Sequence, residues 1–234
     1  MLPGRDKILI LTALVVLAAG PALASPVLTA SNTDGPTGPY YANFDNLALG
    51  NAGGQINNDI AVSFTGDAQA ASGFLSGIYA APFVNGNGGL FGDGETGSDT
   101  TNYLSTGIGS VTLTFTKAQT YLGLLWGSVD LYNHLSLYDA DNQLVASFGG
   151  ADVNAAANGN QGVSGTEYVN ISDVDPFTRA VFTSDGYAFE FDNVSYNVDP
   201  PGEPTGAPEP LTLSLFGAGL AGLMGMRKKA KAAL

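Results

Sequence analysis

The chain has 234 residues, no cysteine and a formal net charge of −13 at neutral pH. Without cysteine it has no disulfide, no catalytic thiol and no thiolate metal site. Between residues 25 and 207 the only basic residues are Lys117 and Arg179. That segment holds all 21 acidic residues except Asp6 and Glu209. A nucleic-acid partner is therefore not expected, because no basic stripe is present to displace the counterions of a phosphate backbone.

Residues 1–24 have the three parts of a secretory signal peptide. Arg5 and Lys7 make a basic start, residues 8–20 are predominantly apolar, and Ala22-Leu23-Ala24 is a small-x-small cleavage site. An N-terminal membrane anchor is the alternative, but a span needs about 20 apolar residues and this stretch is shorter. We therefore expect signal peptidase to remove residues 1–24 during export.

Residues 25–39 are polar and carry Pro, Gly and Thr, so we expect a flexible lead-in. Residues 40–198 show short β-type runs separated by Gly, Asn and Asp, without a helical pattern. The predicted strands are 60–65, 74–79, 111–116, 121–127, 135–138, 144–148, 168–171, 180–183 and 187–196.

The pattern of these runs indicates the fold class. Residues 111–116 alternate apolar residues with Thr, as in a strand with one buried face, and residues 138–143 have the composition of a hairpin turn. Many short half-buried strands predict an all-β, antiparallel β-sandwich over residues 40–198. Among sandwich topologies we favour the jelly roll.

A short sequence is repeated near the two ends of this domain: Phe44-Asp45-Asn46-Leu47 opens it and Phe191-Asp192-Asn193-Val194 closes it. Phe191 and Val194 cannot face one core in a regular strand, so we predict a β-bulge at residues 192–193 that re-aims the Asp192 side chain. If the first and last strands are neighbours, Asp45 and Asp192 approach each other. Two close carboxylates repel unless a proton or a cation lies between them, and calcium suits such a site. The alternative is that both are turn or edge aspartates with local hydrogen bonds.

Residues 85–102 form the longest stretch without a strand pattern, and we expect a surface loop there. Residues 92–97 match the string G-x-G-x-x-G. The string lacks a strand before it and a helix after it, and Asp93 and Glu95 would repel a pyrophosphate. It therefore does not indicate a dinucleotide site.

The candidate catalytic residues are few, and we predict that the chain is not an enzyme. His134 is the only histidine, and no Gly-x-Ser-x-Gly elbow accompanies it, so we interpret it as a surface residue at a strand end. Glu95, Glu167 and Glu190 are candidates for a glycosidase pair with nearby aspartates, but so acidic a chain brings carboxylates together by chance.

Aromatic side chains offer another function, because they stack on sugars as well as pack in cores. Trp126 lies in an apolar run and is expected in the core. The tyrosines expected nearer the surface are Tyr40, Tyr41, Tyr79, Tyr103 and Tyr132. Binding of an exopolysaccharide is therefore an alternative function.

The C-terminal part has an ordered pattern. Residues 199–207 are a Pro/Gly-rich linker, followed by Pro208-Glu209-Pro210, whose prolines favour an extended backbone. Residues 211–226 carry no charge and reach roughly 24 Å as a helix, enough to span a membrane with local thinning. The basic residues that follow, expected to stay on the cytoplasmic side, are Arg227, Lys228, Lys229 and Lys231.

Residues 208–234 resemble the PEP-CTERM sorting signal of Gram-negative bacteria. The resemblance implies that an exosortase acts near Pro208-Glu209-Pro210 after helix 211–226 has held the precursor in the inner membrane. The product would then reach the cell surface or the extracellular space. A plain C-terminal anchor is the alternative, although it needs no Pro-Glu-Pro sequence.

Residues 124–133, the hairpin after them and residues 187–194 are similar to a group of exosortase-dependent surface proteins with a single β-sandwich passenger. That family's biochemical activity is undefined. The closing strand more loosely resembles carbohydrate-binding modules with a structural calcium ion. We therefore expect a non-enzymatic surface or extracellular-matrix protein. The alternatives are a carbohydrate-binding module and a secreted glycoside hydrolase.

Overall fold

A computed structural model describes residues 25–33, 35, 38–83 and 99–197. These residues form a four-residue helix, α1 (Gly150–Val153), a 3-10 turn at Val163–Gly165, and fifteen strands. The strands are β1 (Val27–Ser31), β2 (Tyr40–Ala42), β3 (Gly54–Gln55), β4 (Ile60–Gly66), β5 (Gln69–Ala71), β6 (Phe74–Leu75), β7 (Tyr79–Ala80), β8 (Tyr103–Thr106), β9 (Gly109–Gln119), β10 (Leu122–Gly127), β11 (Asn133–Tyr138), β12 (Leu144–Gly149), β13 (Glu167–Ser172), β14 (Phe177–Ser184) and β15 (Phe189–Tyr196).

The strands build two antiparallel sheets and one small hairpin, so the all-β prediction is confirmed. The larger sheet has seven strands in the order β1-β13-β10-β15-β8-β5, with β2 also paired to β15. The smaller sheet has six strands in the order β12-β11-β14-β9-β4-β3, and β6 pairs with β7. Because β2 pairs with β15, the opening and closing Phe-Asp-Asn sequences are carried by neighbouring segments.

The core lies between the two sheets, as in a β-sandwich. Phe182 of the smaller sheet stacks on Phe191 of the larger one, with ring centroids 3.9 Å apart. Trp126 stacks on Phe189 at 4.2 Å and is fully buried, so its prediction as a core residue is confirmed. Apolar residues of both sheets complete a single continuous cluster, which supplies the main hydrophobic stabilisation.

The predicted alternation is confirmed in β9. Val111, Leu113 and Phe115 are buried, whereas Thr114 and Thr116 are exposed. The apolar set faces the core and the polar set faces water, as a period of two requires.

The lead-in prediction is wrong for residues 27–31, which form β1. This strand pairs along its whole length with β13, from Val27 opposite Ser172 to Ser31 opposite Tyr168. Leu28 and Ala30 are partly buried against the core. Two small apolar contacts and a ladder of backbone hydrogen bonds are enough for an edge strand, although they leave little trace in the sequence.

Residues 74–79 were predicted as one strand, but they form the hairpin β6–β7. Gly77 has φ of +75°, which turns the chain back between Leu75 and Tyr79. Phe74 and Leu75 are about half exposed, so their apolar side chains do not mark a core strand here. A glycine that adopts a left-handed conformation overrides the strand pattern around it.

Several predictions fall on residues outside the described ranges: the signal peptide 1–24, most of loop 85–102, the linker 199–207 and the sorting signal 208–234. Within the described ranges, no helix has the length and apolar character that a membrane crossing requires.

Candidate functional site

The predicted β-bulge is present, and the Asp192 that it re-aims is buried rather than exposed to solvent. Gly123 pairs with Ser195 and Leu125 with Asp192, so two residues of β15 lie opposite one residue of β10. The extra residue, Asn193, has φ of +52°. Phe191 before the bulge and Val194 after it both reach the core. The carboxylate of Asp192 is carried to the outer face of the larger sheet.

Asp192 is fully buried and hydrogen-bonded. Its Oδ1 accepts a hydrogen bond from the Asn193 N–H at 2.7 Å, and its Oδ2 lies 3.2 Å from the Thr101 hydroxyl oxygen. Burial raises its pKa well above the ordinary range of a carboxyl, and the charges of Asp99 and Asp45 raise it further. A buried acid in this position holds a proton or faces a cation.

Two further acids surround Asp192. Asp99 is buried and accepts hydrogen bonds from the backbone N–H and the hydroxyl of Thr101. Asp45 is exposed; its Oδ1 accepts from the Asn102 N–H at 3.0 Å. Thr101 and Asn102 thus tie the three carboxylates to the segment that leads into β8. The structure brings Asp45 and Asp192 within electrostatic range, and it adds Asp99.

The described residues contain no group of three or more His, Cys, Asp or Glu side chains arranged to hold a metal ion. Asp45 makes local hydrogen bonds of the kind that the alternative interpretation expected. Such bonds do not account for the complete burial of Asp192. Calcium at Asp45 and Asp192 stays a prediction.

A second buried acid, Glu190, lies two residues earlier on the same face of β15. It is 2 % exposed; its Oε1 accepts a hydrogen bond from the Ala80 N–H at 2.8 Å, and its Oε2 has no hydrogen-bond partner. Burial raises the pKa of Glu190 to about 8; the Ala80 bond opposes that shift and the Asp130 charge adds to it.

Asp130 follows β10 and is held in place by its neighbours. Its Oδ2 accepts a hydrogen bond from the Tyr132 hydroxyl at 2.7 Å, and that hydroxyl also lies 2.9 Å from the Tyr187 carbonyl oxygen. Gly159 has φ of +68°, which favours glycine, and a Cβ there would lie 2.6 Å from Asp130 Oδ2 and displace this carboxylate. Burial raises the pKa of the Asp130 carboxyl.

Residues 73–83, which we call the cover segment, lie over Glu190. Besides the Ala80 bond, the Pro82 carbonyl accepts from the Thr166 hydroxyl at 2.7 Å, and Tyr103 donates to the Gly73 carbonyl at 2.7 Å. The fully buried Phe83 packs with Leu125 and Tyr168 on the outer face of the larger sheet. The cover segment therefore separates Glu190 from solvent.

Glu167 and Glu190, two of the glutamates considered for a glycosidase pair with a nearby aspartate, lie on opposite faces of the larger sheet. Glu167 is opposite Trp126, and Glu190 is opposite Gly127 on the other side of β10. Cross-strand partners share a face, and successive residues alternate between faces. Glu167 thus lies on the face of Trp126, whereas Glu190 lies on the opposite face.

The remaining candidates are distributed over the surface and the core. His134 lies at the start of β11, with 46 % of its side chain exposed and its Nε2 3.7 Å from Asp185, which confirms its surface position. Tyr40 and Tyr41 are exposed as predicted, but Tyr103 is fully buried, because its ring packs beneath Tyr79 and the cover segment.

Sequence reasoning missed Asp99, Thr101 and Asp130 as neighbours of the buried acids. The sequence did draw attention to Asp130, because it belongs to residues 124–133, which resemble a family of exosortase-dependent surface proteins. Residues 92–97 with Glu95, the triplet Pro208-Glu209-Pro210 and the basic residues after position 226 lie outside the described ranges.

The chain matches no family model, and a comparison with curated proteins also finds no match.

Proposed function

We propose that this chain is an exported, non-enzymatic surface or extracellular-matrix protein whose β-sandwich acts by binding or by structure. An exosortase sorts it through Pro208-Glu209-Pro210, after signal peptidase has acted at its other end. The inner membrane holds the precursor transiently through helix 211–226. The basic residues Arg227, Lys228, Lys229 and Lys231 keep the tail in the cytoplasm.

The observation that carries the non-enzymatic proposal is the burial of the best acid–base candidate. A general acid must reach the proton-accepting atom of its substrate. Glu190 has the raised pKa of such an acid, but it is 2 % exposed beneath the cover segment. Glu167 lies on the opposite face of the sheet, so a hydrolase is the less supported alternative.

The sorting step is tested on the full chain in an exosortase-bearing cell. Replacement of Glu209 by Gln, or of Pro208 and Pro210 by Ala, should leave an uncut precursor in the membrane fraction, since the extended triplet is the feature an enzyme would read. Glu203→Gln in the linker is the matched control and should be processed normally. Normal processing of all the variants would leave a plain anchor as the better account.

The finer form of the fold belongs to this proposal as well. We propose that the sandwich is a jelly roll, and the pairing of β2 with β15, from near the two ends of the domain, supports this topology. We propose helices for the signal peptide 1–24 and for residues 211–226. A structural calcium ion between Asp45 and Asp192 would relieve the repulsion between these two carboxylates.

Recognition of an exopolysaccharide is the second candidate function. Tyr40 and Tyr41 are each nearly half exposed, and the Tyr40 ring is fixed against Tyr196 at 5.5 Å. A fixed, exposed ring loses little entropy when a sugar stacks on it. A glycan array probed with the exported protein should give signals that Tyr41→Ala and Tyr40→Ala abolish and Tyr138→Ala keeps. An array without signals would contradict sugar binding and leave a structural role as the proposed function.

A further inference from the structure

The carboxyl group of Glu190 is buried, and within residues 25–33, 35, 38–83 and 99–197 no basic side chain forms an ion pair with it. Its Oε2 is buried without a hydrogen bond, and so is the hydroxyl of Ser128. Ser128 directly follows Gly127, the cross-strand partner of Glu190, and Asp130 lies two residues further. The charge of Asp130 acts on Glu190, so these two acids are close in space. The buried Ser128 hydroxyl belongs to the segment that joins Gly127 to Asp130.

Neither basic residue of the described ranges compensates these acids. Arg179 lies over the Tyr138 ring at 4.5 Å and donates to Asn142, and Lys117 is exposed on β9. Both belong to the smaller sheet, whereas Glu190 is on the larger one. A buried, unpaired carboxylate costs several kcal/mol in order of magnitude, so Glu190 either keeps a proton or faces a bound cation.

We propose that Glu190 and Asp130, with the hydroxyl of Ser128, bind a divalent cation beneath the cover segment. All the donors are oxygens, which favours a hard ion, and the flexible coordination of calcium fits a mixed set of carboxylates, hydroxyls and backbone carbonyls. The ion would neutralise the acids and, through the bond from the Ala80 N–H to Glu190, hold the cover segment on the sheet.

This site is separate from the one at Asp45 and Asp192. The acid that acts on Glu190 is Asp130, whereas those that act on Asp192 are Asp99 and Asp45. Failure of calcium binding at Asp192 would therefore leave the Glu190 proposal standing, and the reverse also holds.

The test counts ions on the full-length chain, purified in detergent, stripped with a chelator and exchanged into calcium chloride. Bound calcium per chain is measured by atomic emission for the wild type, Glu190→Gln and Asp130→Asn. Glu167→Gln is the matched control, because that glutamate lies on the other face of the same sheet. We expect Glu190→Gln and Asp130→Asn each to bind one ion fewer than the wild type, and Glu167→Gln to bind the same number.

Thermal melting gives the second readout. In chelator, Glu190→Gln should melt at or above the wild type, since a neutral amide replaces an uncompensated acid. In calcium the wild type should gain more than this variant. Equal ion counts and equal calcium-dependent shifts would overturn the proposal and show that Glu190 simply holds a proton. A wild type that binds no calcium would overturn it without any variant, and Ser128→Ala provides a further test if an acid variant does not fold.

Discussion

The ring of Phe44 meets the ring of Phe191 edge to face, with centroids 5.7 Å apart and planes at 90°. Each phenylalanine directly precedes one of the aspartates of the repeated Phe-Asp-Asn sequence. The packed pair therefore fixes the backbone positions from which the Asp45 and Asp192 side chains extend. It links the core of the sandwich to the acidic cluster on its outer face.

Phe44→Ala should destabilise the domain by about 3–5 kcal/mol, because it removes a fully buried ring and its contact with Phe191. Urea denaturation followed by tryptophan fluorescence measures the change. Phe74→Ala is the control: Phe74 is 54 % exposed and should shift the free energy of unfolding by well under half as much. Equal effects of the two substitutions would contradict the packing role of Phe44.

Asp192→Asn should reduce the rise in melting temperature that calcium produces, since a ligand bound only by the folded state stabilises that state. In chelator the variant should be at least as stable as the wild type, because a neutral amide replaces a buried acid. Asp141→Asn, in the exposed turn before β12, should respond to calcium as the wild type does. A full calcium response in Asp192→Asn would remove this residue from any ion site.

Glu190 should make stability fall with rising pH in a metal-free buffer. Its pKa is about 8 in the folded protein and 4.5 ordinarily, so between these values the folded state keeps a proton that the unfolded state has lost. The free energy of unfolding then decreases from pH about 4.5 to about 8, by roughly 5 kcal/mol at most.

Denaturation at a series of pH values measures this slope, to which the raised pKa of Asp192 adds with the same sign. In Glu190→Gln the slope should be shallower over the same window. If the wild type and Glu190→Gln were to show identical pH profiles, burial of the Glu190 proton would not contribute to stability.

Gly127→Ala should displace the cover segment. A Cβ at this position would lie 2.6 Å from Pro82 Cα, a backbone atom that cannot move independently. Overpacking of this kind costs about 1–3 kcal/mol, and the Ala80 amide should exchange faster with solvent as its bond to Glu190 is lost. Hydrogen exchange measured by mass spectrometry reports this change.

Gly149→Ala is the matched control for that experiment, since its Cβ would meet other atoms only at 3.7 Å or more. It should leave exchange in the cover segment unchanged. Unaltered exchange in Gly127→Ala as well would show that Pro82 and its neighbours tolerate a methyl group at this point.

The sequence was sufficient to predict a strand where the strand carries its own alternating pattern of apolar and polar residues. Residues 111–116 alternate cleanly, and the phase change between Phe191 and Val194 predicted the bulge. It was insufficient for β1, β5 and β8, which are short and gain their stability from backbone pairing with distant strands. Gly77 also divided a run of apolar residues that looked like one strand.

The acidic cluster was only partly predictable for a related reason. The repeated Phe-Asp-Asn sequence pointed to Asp45 and Asp192, because repetition is visible along the chain. Nothing local associates Thr101 with Asp192, or Ala80 with Glu190, since these contacts join residues roughly 90 to 110 positions apart. The burial of Glu190 depends on the cover segment, whose place is set by Gly127 and by the packing of Phe83.

The pairing of Val27 with Ser172 has a consequence for how the domain is made. A nascent chain that has produced β1 and β2 still lacks β13 and β15, the strands that complete their hydrogen bonding. Strands β1 and β2 therefore stay unpaired until nearly the whole domain has been synthesised. Pairing between strands so distant in sequence is slow. This connectivity suits the export that we propose, because a chain whose early strands are still unpaired can be threaded through a narrow translocation pore before it folds.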